Sequence, residues 1–274
     1  MKLVSHCYIV AIWQASLRYA MGIKMNILIT NDDGIFAGGI ITLTEILSEI
    51  GEIVVVAPSG QRSAVSHGIT VHEPLVVKEV EYPAGVKKAY SASGNPADCV
   101  RLGIEDLLPV KPDLIVSGIN AGPNFGQDVI YSGTVSGAIE GMFYGIPSMA
   151  FSLDGSSYDI CRHFIINIVK DFIKNNHNPG TIWNVNVPSC PMEEFKGITQ
   201  APLSGHSQYP FRFNKYASKE KEWYYFPVSE AVGVLEAGTD VDYVRKGYIS
   251  ITPLTINFEN KLDKPEGNLS VESN

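Results

Sequence analysis

Cysteine is scarce in this chain, and its spacing suggests no pairing. Cys7, Cys99, Cys161 and Cys190 include no C-x-x-C pair. That spacing fits no zinc template and reads as reduced, buried thiols. Positive charge is also short: 21 Lys and Arg face 29 Asp and Glu, for a net charge of −8. This excludes a basic surface for a nucleic-acid polymer. A small anionic substrate stays open, because a metal or backbone donors can invert the local field. Long hydrophobic runs are missing as well. Residues 3–17 carry no charged side chain, but His6, Gln14 and Ser16 interrupt them. The stretch is shorter than the ~20 apolar residues that span a bilayer. The apolar region from Val129 to Leu153 is broken by Glu140, Pro147 and glycines. No membrane span is expected.

What is present is a regular alternation of strand and helix. At 274 residues the chain can bury roughly 75% of its unfolded surface without a disulfide or metal staple. Lys2 precedes the uncharged stretch as in a weak signal peptide, yet no small-residue cleavage site follows Arg18. Met25 opens a strong strand, so residues 1–24 read as an extension upstream of a start at Met25. Ile27–Ile29 and Ile53–Ala57 are near-continuous apolar strands. Between them lies helical spacing over 38–50, with Gly51 as its stop. Residues 69–92 read as short polar strands of an inserted hairpin. Pro96 opens a helix that runs to Leu108, and Asp113–Ser117 is a further buried strand. Thr134–Tyr144 and Ile160–Lys174 read as helices, and Ser148–Leu153 and Ile182–Val187 as strands. Such a pattern predicts a mostly parallel α/β sheet covered on both faces. Residues 204–230, rich in aromatics and Lys, read as a projecting arm used in oligomer contact. Gly247–Leu254 is a late strand, and 259–274 a polar tail.

Three strand ends carry unusual chemistry, and ligands bind at the carboxyl ends of strands in such sheets. Asn31-Asp32-Asp33-Gly34 sets two carboxylates side by side, a pair that repels unless a cation lies between them. Ser59–Ala64 offers hydroxyls, backbone amides and Arg62, which is placed to steer an anion. The run from Ser117 to Ser136 joins a strand to a helix whose start, Ser132-Gly133-Thr134, offers free amides to a phosphate. Asn120 sits where its amide oxygen can complete a metal shell. This run has neither a Walker A pattern nor a G-x-G-x-x-G fingerprint. Together these residues suit metal-assisted phosphoester hydrolysis, with Asp32 or Asp33 as base or nucleophile. The histidines read as surface or packing residues.

These segments resemble the stationary-phase survival protein SurE family of nucleotidases. Met25–Gly34 is similar to its opening strand and NDDG motif, and Ala57–Ser63 to its AP-x-x-x-RS loop. Ser93–Cys99 is similar to G-T-P-x-D-C, with Asn95 in place of the usual Thr. Ser117–Asn124, Tyr131–Ser136 and Gly247–Leu254 resemble SGIN-x-GPN, SGTVS and GY-[IV]-SITPL. The resemblance runs in order over residues 25–255 and leaves the first 24 without a counterpart. It implies a Rossmann-like α/β fold with a swapped C-terminal arm, spanning 25–258 with the arm over about 204–255. It implies cytoplasmic dimers or tetramers. It also implies a phosphatase of nucleoside monophosphates that uses one divalent cation, Mg²⁺ or Mn²⁺, per subunit. Activity at 3′ positions and on polyphosphate stays open. The implied metal ligands are Asp32, Asp33, Ser63 and Asn120, with Asp32 and Asp33 catalytic. Ser132, Gly133 and Thr134 are the implied phosphate contacts. Asn31, Gly34, Asn95 and Asn124, in the same motifs, complete the expected substrate set.

Three other readings fit the residues less well. A non-catalytic nucleotide-binding regulator would not need both carboxylates. An aspartyl-phosphate enzyme would carry D-x-D rather than adjacent carboxylates. A dehydrogenase would need the missing glycine fingerprint.

Overall fold

The computed structural model describes residues 2–83, 86–175, 178, 180–209, 211–217, 222–229 and 234–256. Its centre is a nine-stranded sheet in the order β3-β4-β2-β1-β5-β6-β7-β11-β8. The strands are β1 (Met25–Thr30), β2 (Gly51–Pro58), β3 (Val77–Glu79), β4 (Lys88–Ala92), β5 (Leu114–Ala121), β6 (Ser148–Asp154), β7 (Thr181–Pro188), β8 (Gly197–Gln200) and β11 (Tyr248–Thr255). From β4 to β7 all pairings are parallel; β3 and β11 run antiparallel to β4 and β7. The chain steps from β1 outward to β2 and β4, then returns to β5 on the other side of β1. The order therefore reverses between β1 and β5, and that switch point opens a crevice at their carboxyl ends.

The pleat explains why the central strands are apolar on both faces. Ile27 and Ile29 face one cluster and Leu28 the other. The first cluster is covered by α1 (Lys2–Ala20), α2 (Gly38–Leu47) and α5 (Asp159–Asn175). The opposite face is covered by α3 (Pro96–Leu102) and α4 (Gly133–Phe143). The expected α/β sheet with helices on both faces is the observed architecture. The helix expected over 97–108 ends as α at Leu102 and widens to a π turn over Gly103–Leu107. Gly51 is not a helix stop. The helix ends at Leu47, and Gly51 begins β2, packed so tightly on Ile27 that a Cβ would lie 2.4 Å from its Cδ1. Residues 69–76 are not strand; only Val77–Glu79 pairs with β4.

Past β8, β9 (Phe211–Ala217) and β10 (Trp223–Ser229) form a separate antiparallel hairpin. A short α6 (Asp240–Arg245) follows, and β11 re-enters the main sheet between β7 and β8. The arm expected over 204–255 is thus the hairpin alone, and its last stretch is a strand of the main sheet. The polar tail 259–274 lies outside the described residues. No helix among them is long and apolar enough to cross a membrane. Cys99 and Cys161 are buried free thiols, and Cys190 is half-buried and free.

The N-terminal segment is an integral helix of this fold. Tyr8, Ile12 and Ala15 are buried in the main cluster. The Ser16 hydroxyl donates to the Ile173 carbonyl at 2.8 Å, and Arg18 pairs with Asp113 at 3.5 Å. Removing the buried Ile12 side chain (Ile12→Ala) is expected to cost about 2–4 kcal/mol. Urea unfolding followed by circular dichroism checks this; an unchanged midpoint would mean that α1 does not dock.

Candidate active site at the sheet switch point

At the end of β1 the chain turns sharply. The Asn31 amide donates to the Gly34 carbonyl at 2.9 Å, and Gly34 takes φ +104. Asn31 and Gly34 therefore build the turn that presents the two carboxylates. Asp32 is 4% exposed, and its Oδ1 accepts from the Thr134 hydroxyl at 2.5 Å. The Thr134 backbone amide also supports it. Burial is the main cause that pushes the Asp32 carboxyl up to about 6, with the Asp33 charge adding to it and the Thr134 bonds opposing it. Asp33 is half-buried and accepts from the Ala121 amide at 2.8 Å. Its carboxyl is also raised, by burial first, against the pull of that amide.

The amino end of α4 sits directly on Asp32. Ser132 caps the helix by accepting from the Val135 amide at 3.1 Å. A Cβ on Gly133 would lie 2.8 Å from the Asp32 Cβ, so only glycine lets the helix start approach the carboxylate this closely. An 11-residue helix directs its positive end here, where negative charge is stabilised.

The second loop is tied to the first. The Arg62 amide donates to the Asp32 carbonyl at 2.6 Å, and the Arg62 guanidinium donates to the Ser93 carbonyl at 2.7 Å. Arg62 thus joins two loops rather than steering an anion as expected. Ser63, next along, is exposed at the cleft.

β5 shifts register between Ser117 and Asn120, around Gly118, where φ is +131 and a Cβ would lie 2.3 Å from the Phe151 carbonyl oxygen, and the third loop leaves the strand after Ala121. The Asn120 amide nitrogen donates to the Gly122 carbonyl at 2.8 Å. Asn124 anchors the loop: its backbone amide donates to Asn186 at 2.8 Å, and its side chain to the Ser152 hydroxyl at 2.7 Å. Its carbonyl accepts from Asn184 and Asn186 at 2.9 and 3.0 Å. Asn184, Asn186 and Ser152, all fully buried, are the supports that sequence reasoning missed. Two asparagines at alternate positions of an otherwise apolar strand, in TIWNVNVP, were the available signal. A second missed support is the His67 imidazole, which lies 2.6 Å from the buried Glu140 carboxylate of α4.

Asp32, Ser63, Asn120, Asn124 and Ser132 line one cleft of about 1060 Å³. Thr134 and Gly133 stand behind Asp32. Asn95 does not line it: its amide donates to the Gly68 carbonyl at 3.2 Å, and its backbone amide to Asp98 at 2.9 Å. Carboxylate, amide carbonyl and hydroxyl oxygens form a hard donor set. That set fits Mg²⁺ or Mn²⁺ and not a soft, thiolate-seeking metal.

A family model described as "Survival protein SurE" matches residues 27–209. The chain belongs to the SurE family. It is 42% identical over 241 residues to a Clostridium botulinum protein named 5′-nucleotidase SurE, covering 86% of this chain and 95% of that one. A Heliobacterium modesticaldum protein of the same name is 41% identical over 240 residues, covering 86% of this chain and 88% of its own length. The crystal structure of the SurE protein from Aquifex aeolicus matches with a TM-score of 0.74 at 40% identity, covering 86% of this chain and 95% of that chain. The family and fold expected from the motifs are those observed.

In this SurE-family chain the buried Asp32 makes stability depend on pH. Its folded-state proton affinity is raised, from 3.8 to about 6, so ionising it opposes folding. In buffer without divalent cations, that contribution to stability is lost as pH rises through 4 to 6. Asp32→Asn removes the opposition, of order 2–3 kcal/mol at ~1.4 kcal/mol per unit. A melting temperature several degrees above wild type at pH 7.5, with the gap closing near pH 4, is expected in calorimetry. A lower melting temperature at pH 7.5 would contradict it.

Proposed function

We propose that this chain is a metal-dependent phosphatase that hydrolyses nucleoside 5′-monophosphates to nucleoside and phosphate. The observation that carries the reading is the single cleft in which Asp32, Ser63, Asn120 and Ser132 meet the amino end of α4. The relatives named 5′-nucleotidase SurE support it. Asp32, Asp33, Ser63 and Asn120 would hold one Mg²⁺ or Mn²⁺ ion, which supplies Lewis-acid polarisation of the phosphoryl group. The protein's own groups do the rest. The helix start at Ser132 and Gly133 receives the phosphate oxygens, while the Thr134 hydroxyl and amide are taken up by Asp32. Thr134 keeps the Asp32 carboxylate in one orientation. Asp32, the carboxylate that lines the cleft, takes the proton of the attacking water. The P–O bond to the nucleoside breaks, and the released oxygen takes the proton that Asp32 received from the water. 3′-Monophosphates and polyphosphate are further substrates to test in the same proposal.

The reading extends to a cytoplasmic homodimer or homotetramer joined through the hairpin. Tyr216, Trp223, Tyr225 and Phe226 there are each more than half exposed. By the hairpin register Tyr216 and Phe226 lie on one face and Trp223 and Tyr225 on the other, and exposed aromatics on both faces suit burial against a partner. Phe226→Glu is expected to shift sedimentation to a smaller species; unchanged sedimentation would remove the hairpin from the interface.

The activity itself is read as phosphate release from nucleoside monophosphates, with Mg²⁺ or Mn²⁺ and again with EDTA. Release should vanish with EDTA and fall roughly 100-fold or more in Asp32→Asn and Asp33→Asn. Gly133→Ala should also fall, because the added Cβ must push Asp32 aside. Release that survives both EDTA and the two Asp substitutions would refute the mechanism.

A further inference from the structure

α1 has two apolar faces, and the fold uses one of them. Tyr8, Ile12 and Ala15 are buried in the main cluster. Ile9, Trp13, Leu17 and Met21 recur every fourth residue, which stacks them in a stripe on the other side of the helix. They are 51%, 64%, 42% and 65% exposed, and Val10 beside them is exposed as well. Met21, one residue past the end of α1, keeps the helical register through its amide bond to the Leu17 carbonyl at 3.0 Å. A surface helix ordinarily turns charged and polar residues toward water. Here Gln14 and Arg18 alone do so between Tyr8 and Met21, since Ser16 is bonded to the Ile173 carbonyl. A groove of about 770 Å³ continues the apolar face between α1 and α5. Trp13 and Tyr19 form one wall, and Lys170 and Lys174 stand on the other. The Lys170 ammonium lies 5.7 Å from the centre of the Tyr19 ring.

The charge around this face identifies what covers it. The first 24 residues hold Lys2, Arg18 and Lys24 and no Asp or Glu, in a chain whose net charge is −8. Lys170 and Lys174 add to that excess from α5. The one carboxylate in the groove, Asp171, accepts from the Asn175 amide. Arg18 is the cation that has an acidic partner, Asp113. An apolar face with Trp and Tyr and a cationic border suits a helix lying in the surface of an anionic bilayer. A second copy of the chain suits it poorly, because in a two-fold contact these cations would meet their own counterparts. α1 cannot cross the bilayer while its inner face is packed in the protein core.

The helix also has a definite place relative to the cleft. The Tyr8 hydroxyl donates to the Thr181 carbonyl, at the start of β7, at 3.4 Å, and Arg18 reaches Asp113, just ahead of β5. α1 therefore runs along the amino edge of the sheet, whereas Asp32 and its cleft lie at the carboxyl ends of the strands.

We propose that the outer face of α1, with Lys170 and Lys174 beside it, docks this protein on a membrane surface rich in anionic phospholipid, with the cleft turned away from the bilayer. The docking does not depend on the nucleotidase reading.

The test is co-sedimentation of the full chain with vesicles of phosphatidylcholine alone and of phosphatidylcholine mixed with phosphatidylserine. Wild type should pellet with the mixed vesicles, stay largely in solution with phosphatidylcholine alone, and be released as salt rises. The double variant Trp13→Gln/Leu17→Gln replaces exposed side chains only, so it should keep the wild-type melting temperature and bind roughly 10-fold or more weakly. Lys170→Gln/Lys174→Gln should lose roughly 10- to 30-fold in binding, and Lys170→Arg/Lys174→Arg should retain it. Absence of binding, or equal binding to the two kinds of vesicle, would overturn the proposal. So would binding that survives in Trp13→Gln/Leu17→Gln, which would move the contact to other exposed aromatics such as those of the hairpin. A wild-type oligomer that this variant breaks up, with no vesicle binding, would assign the face to a second copy instead.

Discussion

A buried negative charge has to be compensated by its surroundings, and much of this structure answers to that demand at Asp32. The carboxylate lies at the end of a central strand, almost out of water. It is held by the Thr134 hydroxyl and backbone amide, against the positive end of a helix. Glycine at 133 sets the distance between them. Asp33 beside it raises the electrostatic cost further. Water would solvate such a pair cheaply at the surface. Holding it in the crevice is energetically unfavourable in the chain alone, and is understandable where a cation and a phosphoryl group complete the site.

The sheet order makes that placement feasible. β1 and β5 are neighbours from which the chain departs in opposite directions, so their loops diverge and leave room between them. Each wall of the opening is then fixed by main-chain contacts. The Asn31 turn, the Arg62 bridge to Asp32 and Ser93, and the asparagine cluster around Asn124 all fix backbone rather than present groups to a ligand. Rigid loops of this kind lower the cost of organising a transition state.

Two elements tie the periphery to this centre. The hairpin is rooted on the same turn that leads into α4, through Asp128 and Gln127. The root of the arm is therefore held close to Ser132. On the opposite side α1 closes the main apolar cluster near the ends of β7 and α5. The sheet is extended past β7 by β11, which runs antiparallel to it and in turn holds β8.

Strand and helix alternation, the NDDG turn and the helix start at Ser132 were legible from local pattern, because buried parallel strands and a cap are written in neighbouring residues. So was the family, because six motifs stood in one order. What required the tertiary structure was everything joined across long separations. The insertion of β11 between β7 and β8 depends on pairing partners distant in the chain. The Asn184–Asn186 support, the Glu140–His67 contact and the use of Asn95 on Gly68 rather than in the cleft depend on which loops meet. Residue types alone placed two carboxylates at a strand end. Only the fold decided that one of them is buried against a helix start while the other is half-buried on the Ala121 amide, because burial and helix direction are properties of packing and not of spacing.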